Sequence, residues 1–324
     1  MLTSSEILTL INNHIGELPY ERKPYALYEP IKYVLSIGGK RIRPTLMLLA
    51  YNMYKDNPQD ILSPACGLET YHNYTLLHDD LMDNASVRRG QPTVHEKWDA
   101  NTAILSGDTM LVMAYEHFLK CGHPRLKEVL DIFTETALEI GEGQQYDMDF
   151  EKRLDVTEGE YIEMIRLKTS VLLACALKIG ALLADASADD ADRLYQFGEK
   201  IGLAFQLQDD YLDVYGDPKV FGKSIGGDIL CNKKTFMLIN AMNSSHGDMR
   251  EELMGWLECQ DYKAEEKVAA VTQIYNQLGI DKLAEEKIEY YFTEGLRHLN
   301  EVTVPEERKM QLRDFTAQMM KRKV

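Results

Sequence analysis

Helical periodicity is the feature that most constrains how this chain can fold. Apolar residues recur at i, i+3, i+4 and i+7 along most of the 324 residues, and only 10 prolines and 21 glycines interrupt them. No segment shows the alternating pattern of a half-buried strand bounded by turn residues. No Ser/Gly-rich or Pro-rich linker divides the chain. The sequence therefore predicts an all-α protein, most simply a single large helical bundle over residues 1–324.

Two long helices are predicted around the acidic motifs described below. Residues 65–91 contain no proline, and the apolar residues of 191–216 fall on one helical stripe. The apolar stretch 171–184 contains Lys178 and is too short to span a bilayer, which predicts a core helix. Breaks are predicted where turn-forming residues gather: near 56–60, 84–92, 121–125, 185–190, 217–234 and 279–281.

Charge and cysteine content exclude several classes of protein. The net charge of −16 disfavours a general nucleic-acid binder, which needs clustered Lys and Arg. The five cysteines are scattered singly, without the spacing of a zinc site or a complete disulfide framework. The N-terminus lacks the basic region of a signal peptide. We therefore expect a cytoplasmic protein without a transmembrane segment.

Two aspartate-rich motifs carry the strongest chemical signal. HDDLMD contains Asp79, Asp80 and Asp83, and about 130 residues later QDDYLD repeats the spacing. On a helix, residues i and i+4 lie one turn apart on the same face, so each motif brings like charges together. A single such cluster is commonly a solvated acidic face, but two copies favour a cation site. Oxygen-only ligands suit Mg²⁺, which typically combines one or two carboxylates with substrate phosphates. The second motif contributes Asp209, Asp210 and Asp213.

Basic residues near the first motif suit phosphate oxygens. Arg88 and Arg89 follow the predicted helix and are able to bind phosphate bidentately, although such a pair is often only a surface charge pair. GGKRIRP supplies Lys40, Arg41 and Arg43 in a predicted loop that leads into a helix following Pro44. Together these clusters indicate a diphosphate ligand.

A second pair of potential metal ligands lies on the predicted helix before the first motif. Glu69 and His72 form a Glu-x-x-His pair like those of di-iron helical bundles, but that architecture needs two such pairs and no second one is found. Magnesium explains the aspartates better.

At this level of detail the chain resembles the trans-prenyltransferase (polyprenyl synthetase) family, which includes farnesyl, geranylgeranyl and longer polyprenyl diphosphate synthases. The resemblance runs nearly end to end and rests on GGKRIRP, DDLMD with its trailing RRG, LSGD, GQQYD, KTS, FQLQDDYLD and GKSIGGDILCNKKT, in the family's order. It implies an all-α isoprenoid synthase fold with a deep central cavity. It also implies a homodimer and three Mg²⁺ ions.

The resemblance further implies a role for each matching position. Isopentenyl diphosphate condenses head-to-tail with an allylic diphosphate, whose departing diphosphate is the expected base, so no side-chain base is required. The implied metal-binding positions are Asp79, Asp83 and Asp209, with Asp80, Asp210 and Asp213 in support. The implied allylic-diphosphate partners are Arg88, Lys168, Lys223 and Lys233. The implied isopentenyl-diphosphate partners are Lys40, Arg43, His72 and Arg89. The groups implied near the carbocation are Thr169, Gln206 and Phe205.

Product length is expected to depend on the helix before the first motif. Tyr74 lies five residues ahead of Asp79, Tyr71 lies eight ahead and Thr75 is small. A large residue at position 74 predicts a short product, farnesyl or geranylgeranyl diphosphate, and leaves the two open. A terpene cyclase and a non-catalytic partner subunit are the alternatives, and the intact second motif argues against both. The basic tail 321–323 is either a frayed end or a cover for the isopentenyl site.

Overall fold

The structure is a computed structural model that describes residues 1–217 and 225–321. Helices dominate this part of the chain, with one two-stranded hairpin, β1 (Val87–Arg88) and β2 (Gln91–Pro92). A 3₁₀ turn covers Pro58–Ile61 and a π-helix covers Arg166–Ser170. The α-helices are α1 Ser4–Glu17, α2 Tyr25–Ser36, α3 Ile42–Asn52, α4 Leu62–Met82, α5 Val94–Lys97, α6 Ala100–Leu119, α7 Leu126–Glu151, α8 Glu158–Ile165, α9 Val171–Leu183, α10 Ala188–Tyr215, α11 Gly227–Leu230, α12 Phe236–Ser244, α13 Gly247–Glu258, α14 Ala264–Leu278, α15 Ile280–Glu301 and α16 Glu306–Met320.

The chain divides into two compact units. Unit 1 comprises Met1–Thr134, Cys175–Leu194 and Thr303–Leu312, and unit 2 comprises Glu135–Ala174, Tyr195–Val302 and Arg313–Val324. The prediction of one domain over the whole chain stays a prediction.

Unit 1 is organised around α3, α4 and α6. α3 is buried along residues 44–52, and α4 packs extensively on α6. The α4–α6 contact is close because Gly67 has no side chain: a Cβ there would lie 2.9 Å from the carbonyl oxygen of Ala114. Burial of these apolar faces, at about 25 cal/mol per Å², is the main stabilising contribution. The last turn of α4, which carries the first aspartate motif, therefore has a rigid support.

Unit 2 has its own apolar core, to which α8, α10, α12, α14 and α15 contribute. Tyr161, Leu207, Phe236 and Ile274 are among its buried members. α8 begins with a capping box, in which Thr157 and Glu160 satisfy each other's backbone N–H groups. This core holds the part of α10 that ends in the second aspartate motif.

The all-α prediction is confirmed, and the breaks predicted near 56–60, 84–92, 121–125, 185–190 and 279–281 fall between or at the ends of the observed helices. The break predicted over 217–234 lies partly outside the described residues and contains the short helix α11. The helix around the first motif ends at Met82, next to its predicted break, because Asn84 adopts a left-handed conformation (φ 50°) and residues 87–92 form the hairpin. One boundary was wrong. α3 starts at Ile42, before Pro44, since Arg41 at its N-cap is also left-handed (φ 47°). Along residues 1–217 and 225–321, every helix is too short or too polar to span a lipid bilayer.

Candidate active site

The first aspartate motif lies at the C-terminal end of α4. Asp79 and Asp80 belong to its last turn, and Asp83 is the C-cap, whose backbone N–H donates to the carbonyl of Asp79. Carboxylates at a helix C-terminus meet the negative end of the helix dipole, which disfavours them by roughly 0.3–1 kcal/mol each. The arrangement is therefore one that a bound cation stabilises.

The carboxylate of Asp80 is engaged by Arg88 of the hairpin. It is 5% exposed, and Arg88 Nε donates to its two carboxylate oxygens at 2.7 and 2.8 Å. Arg88 Nη2 lies 2.6 Å from Oδ1. A charge-assisted pair of this kind is strong and directional. It orients Asp80 and Arg88 together beside Asp79.

The basic segment before α3 divides into a structural arginine and a binding candidate. Arg41 is 4% exposed, and it donates to Glu69 at 2.7 Å and to the carbonyl of Leu35 at 2.6 Å. Arg43 Nη1 lies 3.0 Å from Nε2 of His72. Because a guanidinium has only donors, the histidine nitrogen must accept. Glu69 and His72 thus face different arginines, which also counts against a di-iron pair.

His72 is neutral in this environment. Desolvation and the neighbouring arginines, Arg43 first and then Arg89, Arg88 and Arg41, lower the pKa of His72 well below its usual value. Desolvation also lowers the pKa of Arg43 to about 10, with Glu69 opposing and Arg89 adding to the shift. Since Arg43 faces a neutral ring and not a carboxylate, this part of unit 1 favours an anion.

Arg89 is held beside Arg43 by the glycine loop. Its Nη1 donates to the carbonyl of Gly38, and a Cβ on Gly39 would lie 2.8 Å from the guanidinium carbon. Gly39 also has a positive φ of 142°, which other residues rarely adopt. The sequence predicts that Lys40, Arg43, His72 and Arg89 bind the same ligand. The structure groups the last three, and Lys40 is exposed in the adjoining loop.

The predicted length-determining residues line one face of α4. The Tyr74 ring lies 5.5 Å from that of Tyr71 and 4.8 Å, edge-on, from that of His78. Tyr71 is buried against Phe133 at 5.1 Å. Thr75 donates its hydroxyl to the carbonyl of His72 at 2.9 Å. Tyr74 is thus fixed between two rings, and it is half-buried.

In unit 2, Lys168 and Thr169 lie in the π-helix Arg166–Ser170. Such bulges are rare in proteins, and those that occur often lie at functional sites. Two glycines allow helices to approach it: a Cβ on Gly143 of α7 would lie 2.4 Å from the backbone nitrogen of Lys168, and a Cβ on Gly202 of α10 would lie 2.6 Å from Cα of Ser170. The bulge was not predicted from the sequence, because helical periodicity hardly changes over five residues.

Lys168 is oriented by Asp147 of α7, whose carboxylate lies 2.6 Å from its ammonium. The sequence assigned Asp147 no role. Its helical spacing from Gly143, i and i+4 on one face of α7, is the only local signal that relates it to the π-helix. Thr169 donates to the amide oxygen of Gln206 at 3.4 Å. Phe205, half-buried, precedes Gln206 on α10.

The second aspartate motif occupies the last turns of α10, again at the negative end of a helix dipole. Asp210 accepts hydrogen bonds from the hydroxyl of Tyr161 and, at 3.2 Å, from the amide of Gln206. Burial, followed by the charge of Asp228, raises the pKa of Asp210 to about 7, and Lys233 opposes the shift. Asp213 accepts from the backbone N–H of Asp228 at 2.9 Å.

Lys233 places a positive charge among the acidic residues around the second motif. Its ammonium lies 3.9 Å from Asp228. Desolvation disfavours the charge, but Asp228, Asp210, Asp147 and Asp209 outweigh it and raise the pKa of Lys233. The described contacts therefore group Lys168, Thr169, Gln206 and Lys233 with the second motif, and the roles assigned to them stay predictions. Lys223 and residues 322–324 lie outside the described residues.

The end of α16 lies beside the second motif. Gln208, next to Asp209, donates to the carbonyl of Met320 at 2.6 Å. The C-terminal helix is thus tied to the helix that carries the motif. Whether the basic tail covers the isopentenyl site stays a prediction.

The described residues form no preassembled metal cluster. Among the described residues, no three acidic, histidine or cysteine side chains converge at metal-binding distance. The donor set is nevertheless one of hard oxygen ligands, which fits Mg²⁺ completed by water and phosphate.

These features define an all-α synthase of the isoprenoid type, and comparison with known proteins identifies the family. The polyprenyl synthetase family model matches residues 24–277. The chain therefore belongs to the polyprenyl synthetase family, which confirms the resemblance.

The relatives include several short-chain synthases. The geranylgeranyl diphosphate synthase of Methanosarcina mazei is 44% identical over 70% of this chain and 71% of its own. The geranylfarnesyl diphosphate synthase of Natronomonas pharaonis is 36% identical over 96% of this chain and 94% of its own. A crystal structure of a geranylgeranyl pyrophosphate synthase has a TM-score of 0.94 at 42% identity, with 100% of both chains covered. These comparisons confirm the fold class as well.

Proposed function

We propose that this chain is a prenyltransferase that condenses isopentenyl diphosphate head-to-tail with an allylic diphosphate. The observation that carries the proposal is the combination in unit 1 of an aspartate motif at a helix end with the Arg43, His72 and Arg89 group. Unit 2 supplies a second acidic motif with Lys168 and Lys233. A substrate pair with two diphosphates matches both kinds of site, since carboxylates require a metal to hold a diphosphate and arginines do not.

Magnesium fits the donor set, and Asp79, Asp83 and Asp209 would hold it. Asp80 and Asp213 already accept from Arg88 and from the backbone of Asp228, so they would orient waters or neighbouring ligands. When bound, Mg²⁺ supplies positive charge to the diphosphate leaving group. Three ions is the number expected from the family.

The side chains then have separate tasks. Arg43, His72, Arg89 and Lys40 bind isopentenyl diphosphate, for which the neutral His72 accepts from Arg43 and leaves the other arginine donors for phosphate. The further groups Arg88, Lys168, Lys223 and Lys233 bind the allylic diphosphate. As its carbon–oxygen bond ionises, Thr169, Gln206 and Phe205 stabilise the carbocation. The double bond of isopentenyl diphosphate attacks that carbon, and the released diphosphate takes the proton.

The test is a product assay with purified protein, Mg²⁺, labelled isopentenyl diphosphate and each of the dimethylallyl, geranyl and farnesyl primers. We expect a magnesium-dependent product of fifteen or twenty carbons. Absence of incorporation with every primer would contradict the proposal and favour a non-catalytic partner subunit.

Product length is proposed to be limited by Tyr74. Its ring is fixed between Tyr71 and His78, so it presents a rigid obstacle and not a mobile one. Tyr74→Ala should lengthen the product by at least one five-carbon unit, measured by chromatography of the dephosphorylated products. Tyr25→Ala, at an exposed tyrosine, is the control and should leave the length unchanged. Equal products from Tyr74→Ala and the unsubstituted protein would refute this role.

A homodimer is proposed through the exposed apolar face of α6. Leu105, Val112 and Leu119 recur every seven residues there and are 59%, 67% and 59% exposed. A repeat of seven places apolar side chains on one helical stripe, as at helix–helix interfaces. Val112→Glu should convert the dimer to a monomer, as measured by light scattering coupled to gel filtration. Tyr290→Glu on α15 is the control; a dimeric Val112→Glu protein would exclude this face.

A cytoplasmic location also stays a proposal. It rests on the five scattered cysteines and their lack of a disulfide pattern.

A further inference from the structure

A chain of hydrogen bonds in unit 2 joins a buried tyrosine to Thr169. The hydroxyl of Tyr161 donates to one carboxylate oxygen of Asp210. The amide nitrogen of Gln206 donates to the other oxygen at 3.2 Å. The hydroxyl of Thr169 donates to the amide oxygen of Gln206 at 3.4 Å. Tyr161 and Asp210 are 1% and 3% exposed, so water does not compete for these bonds.

Donor and acceptor chemistry gives this chain a direction. Both carboxylate oxygens of Asp210 accept, one from Tyr161 and the other from Gln206, so the amide of Gln206 turns its NH₂ group toward Asp210. Its carbonyl oxygen then faces Thr169, whose hydroxyl is left to donate. The proton of that hydroxyl is thereby committed to Gln206, and the lone pairs of Oγ1 are directed elsewhere. A flipped amide would place two acceptors against each other.

Tyr161 is a rigid origin for the chain. It lies on α8 within the apolar core of unit 2. Thr169 lies at the other end in the π-helix, where Gly143 and Gly202 permit close backbone approach by α7 and α10. Both ends are therefore supported by packing, and the orientation of the intervening amide depends on the hydrogen bonds.

We propose that Tyr161 is a positioning residue, which acts through Asp210 and Gln206 to keep the lone pairs of Thr169 directed at the developing carbocation. This proposal rests on the proposed prenyl transfer and deepens it. Tyr161 is 1% exposed, so its effect passes through Asp210 and Gln206 to the hydroxyl of Thr169. A preorganised dipole of this kind stabilises charge that develops only in the transition state. Ground-state binding, which depends on the diphosphates, is unaffected.

The experiment is a double-mutant cycle on the full-length protein. Tyr161→Phe should lower kcat by about tenfold, which is less than the roughly 10²–10³-fold cost of removing a group that acts directly on the developing charge, because Tyr161 acts only through other side chains. KM for both substrates should stay within about twofold, since uniform binding is unchanged. Thr169→Val should lower kcat further. Combining the two should cost no more than Thr169→Val alone, because Tyr161 acts through that hydroxyl.

A matched control and a second readout separate positioning from general stability. Tyr215→Phe removes another tyrosine hydroxyl bond of unit 2, to Asn276 at 2.7 Å, and should leave kcat unchanged. An allylic substrate with a fluorinated methyl group, which destabilises the carbocation, should enlarge the kcat loss of Tyr161→Phe. A purely structural role would leave that loss the same for both substrates.

The outcomes discriminate among explanations. Additive kcat losses, or a rise in KM without a fall in kcat, would overturn the role of Tyr161 while leaving prenyl transfer intact. An inactive unsubstituted protein would overturn both. Should Tyr161→Phe not fold, the cycle of Gln206→Met with Thr169→Val tests the next link, and additivity there would equally overturn the proposal.

Discussion

Asp209→Ala is expected to lower turnover by about 10³-fold, in line with the loss of a group that acts on the leaving charge. The fold should be retained, because Asp209 is only half-buried and alanine is the best helix former. Steady-state assays over a Mg²⁺ titration measure the first effect, and urea unfolding measures the second.

Asp189→Ala is the matched control on the same helix. Asp189 is exposed in the first turn of α10, at the positive end of the dipole, so its removal should reduce stability slightly and leave turnover unchanged. The two alanine variants should therefore both stay folded and differ in turnover. If Asp209→Ala retained most of its turnover, the second motif could not be part of the metal site.

Gly143→Ala is expected to combine a large loss of activity with a loss of stability. Its Cβ would lie 2.4 Å from the backbone nitrogen of Lys168 and 2.8 Å from the carbonyl carbon of Leu167, contacts that no rotamer relieves. The π-helix must shift, which misplaces Lys168 and Thr169. Overpacking of this kind costs about 1–3 kcal/mol. We expect turnover to fall by roughly 10²-fold, as for a misplacement of about 1 Å.

Gly141→Ala supplies the comparison two residues earlier in α7. Nothing lies within 4 Å of its Cβ position, and Gly141 is exposed. Here alanine should stabilise the protein by about 0.5–1 kcal/mol through helix propensity and leave turnover unaltered. Thermal unfolding and initial rates of both variants check the pair. Equal behaviour of the two alanines would show that the glycine at 143 has no packing role.

Much of the fold and site was predictable because the responsible signals are local. The helical period and the scarcity of proline indicate α-helices, and both aspartate motifs keep i, i+4 spacing within a single helix. Helix ends were less accurate: the prediction started the third helix after Pro44, whereas α3 starts at Ile42, because the left-handed Arg41 before it is fixed by buried contacts with Glu69 and Leu35.

The roles of individual polar residues were less predictable. Arg41 and Arg43 stand two positions apart in one basic segment, yet Arg41 pairs with the buried Glu69 and Arg43 faces a neutral histidine. Asp147 and Tyr161 had no charge pattern to distinguish them. Their partners Lys168 and Asp210 lie 21 and 49 residues away along the chain.

The sequence by itself determined the helical class, the family and the residue types of the candidate site, since these depend on periodicity and on motifs within single helices. Only the tertiary structure decided which charges are neutralised, where the π-helix lies and which tyrosine holds Asp210. These properties depend on burial and on contacts between residues far apart in the chain, where desolvation sets the strength of each charge and close packing sets its direction.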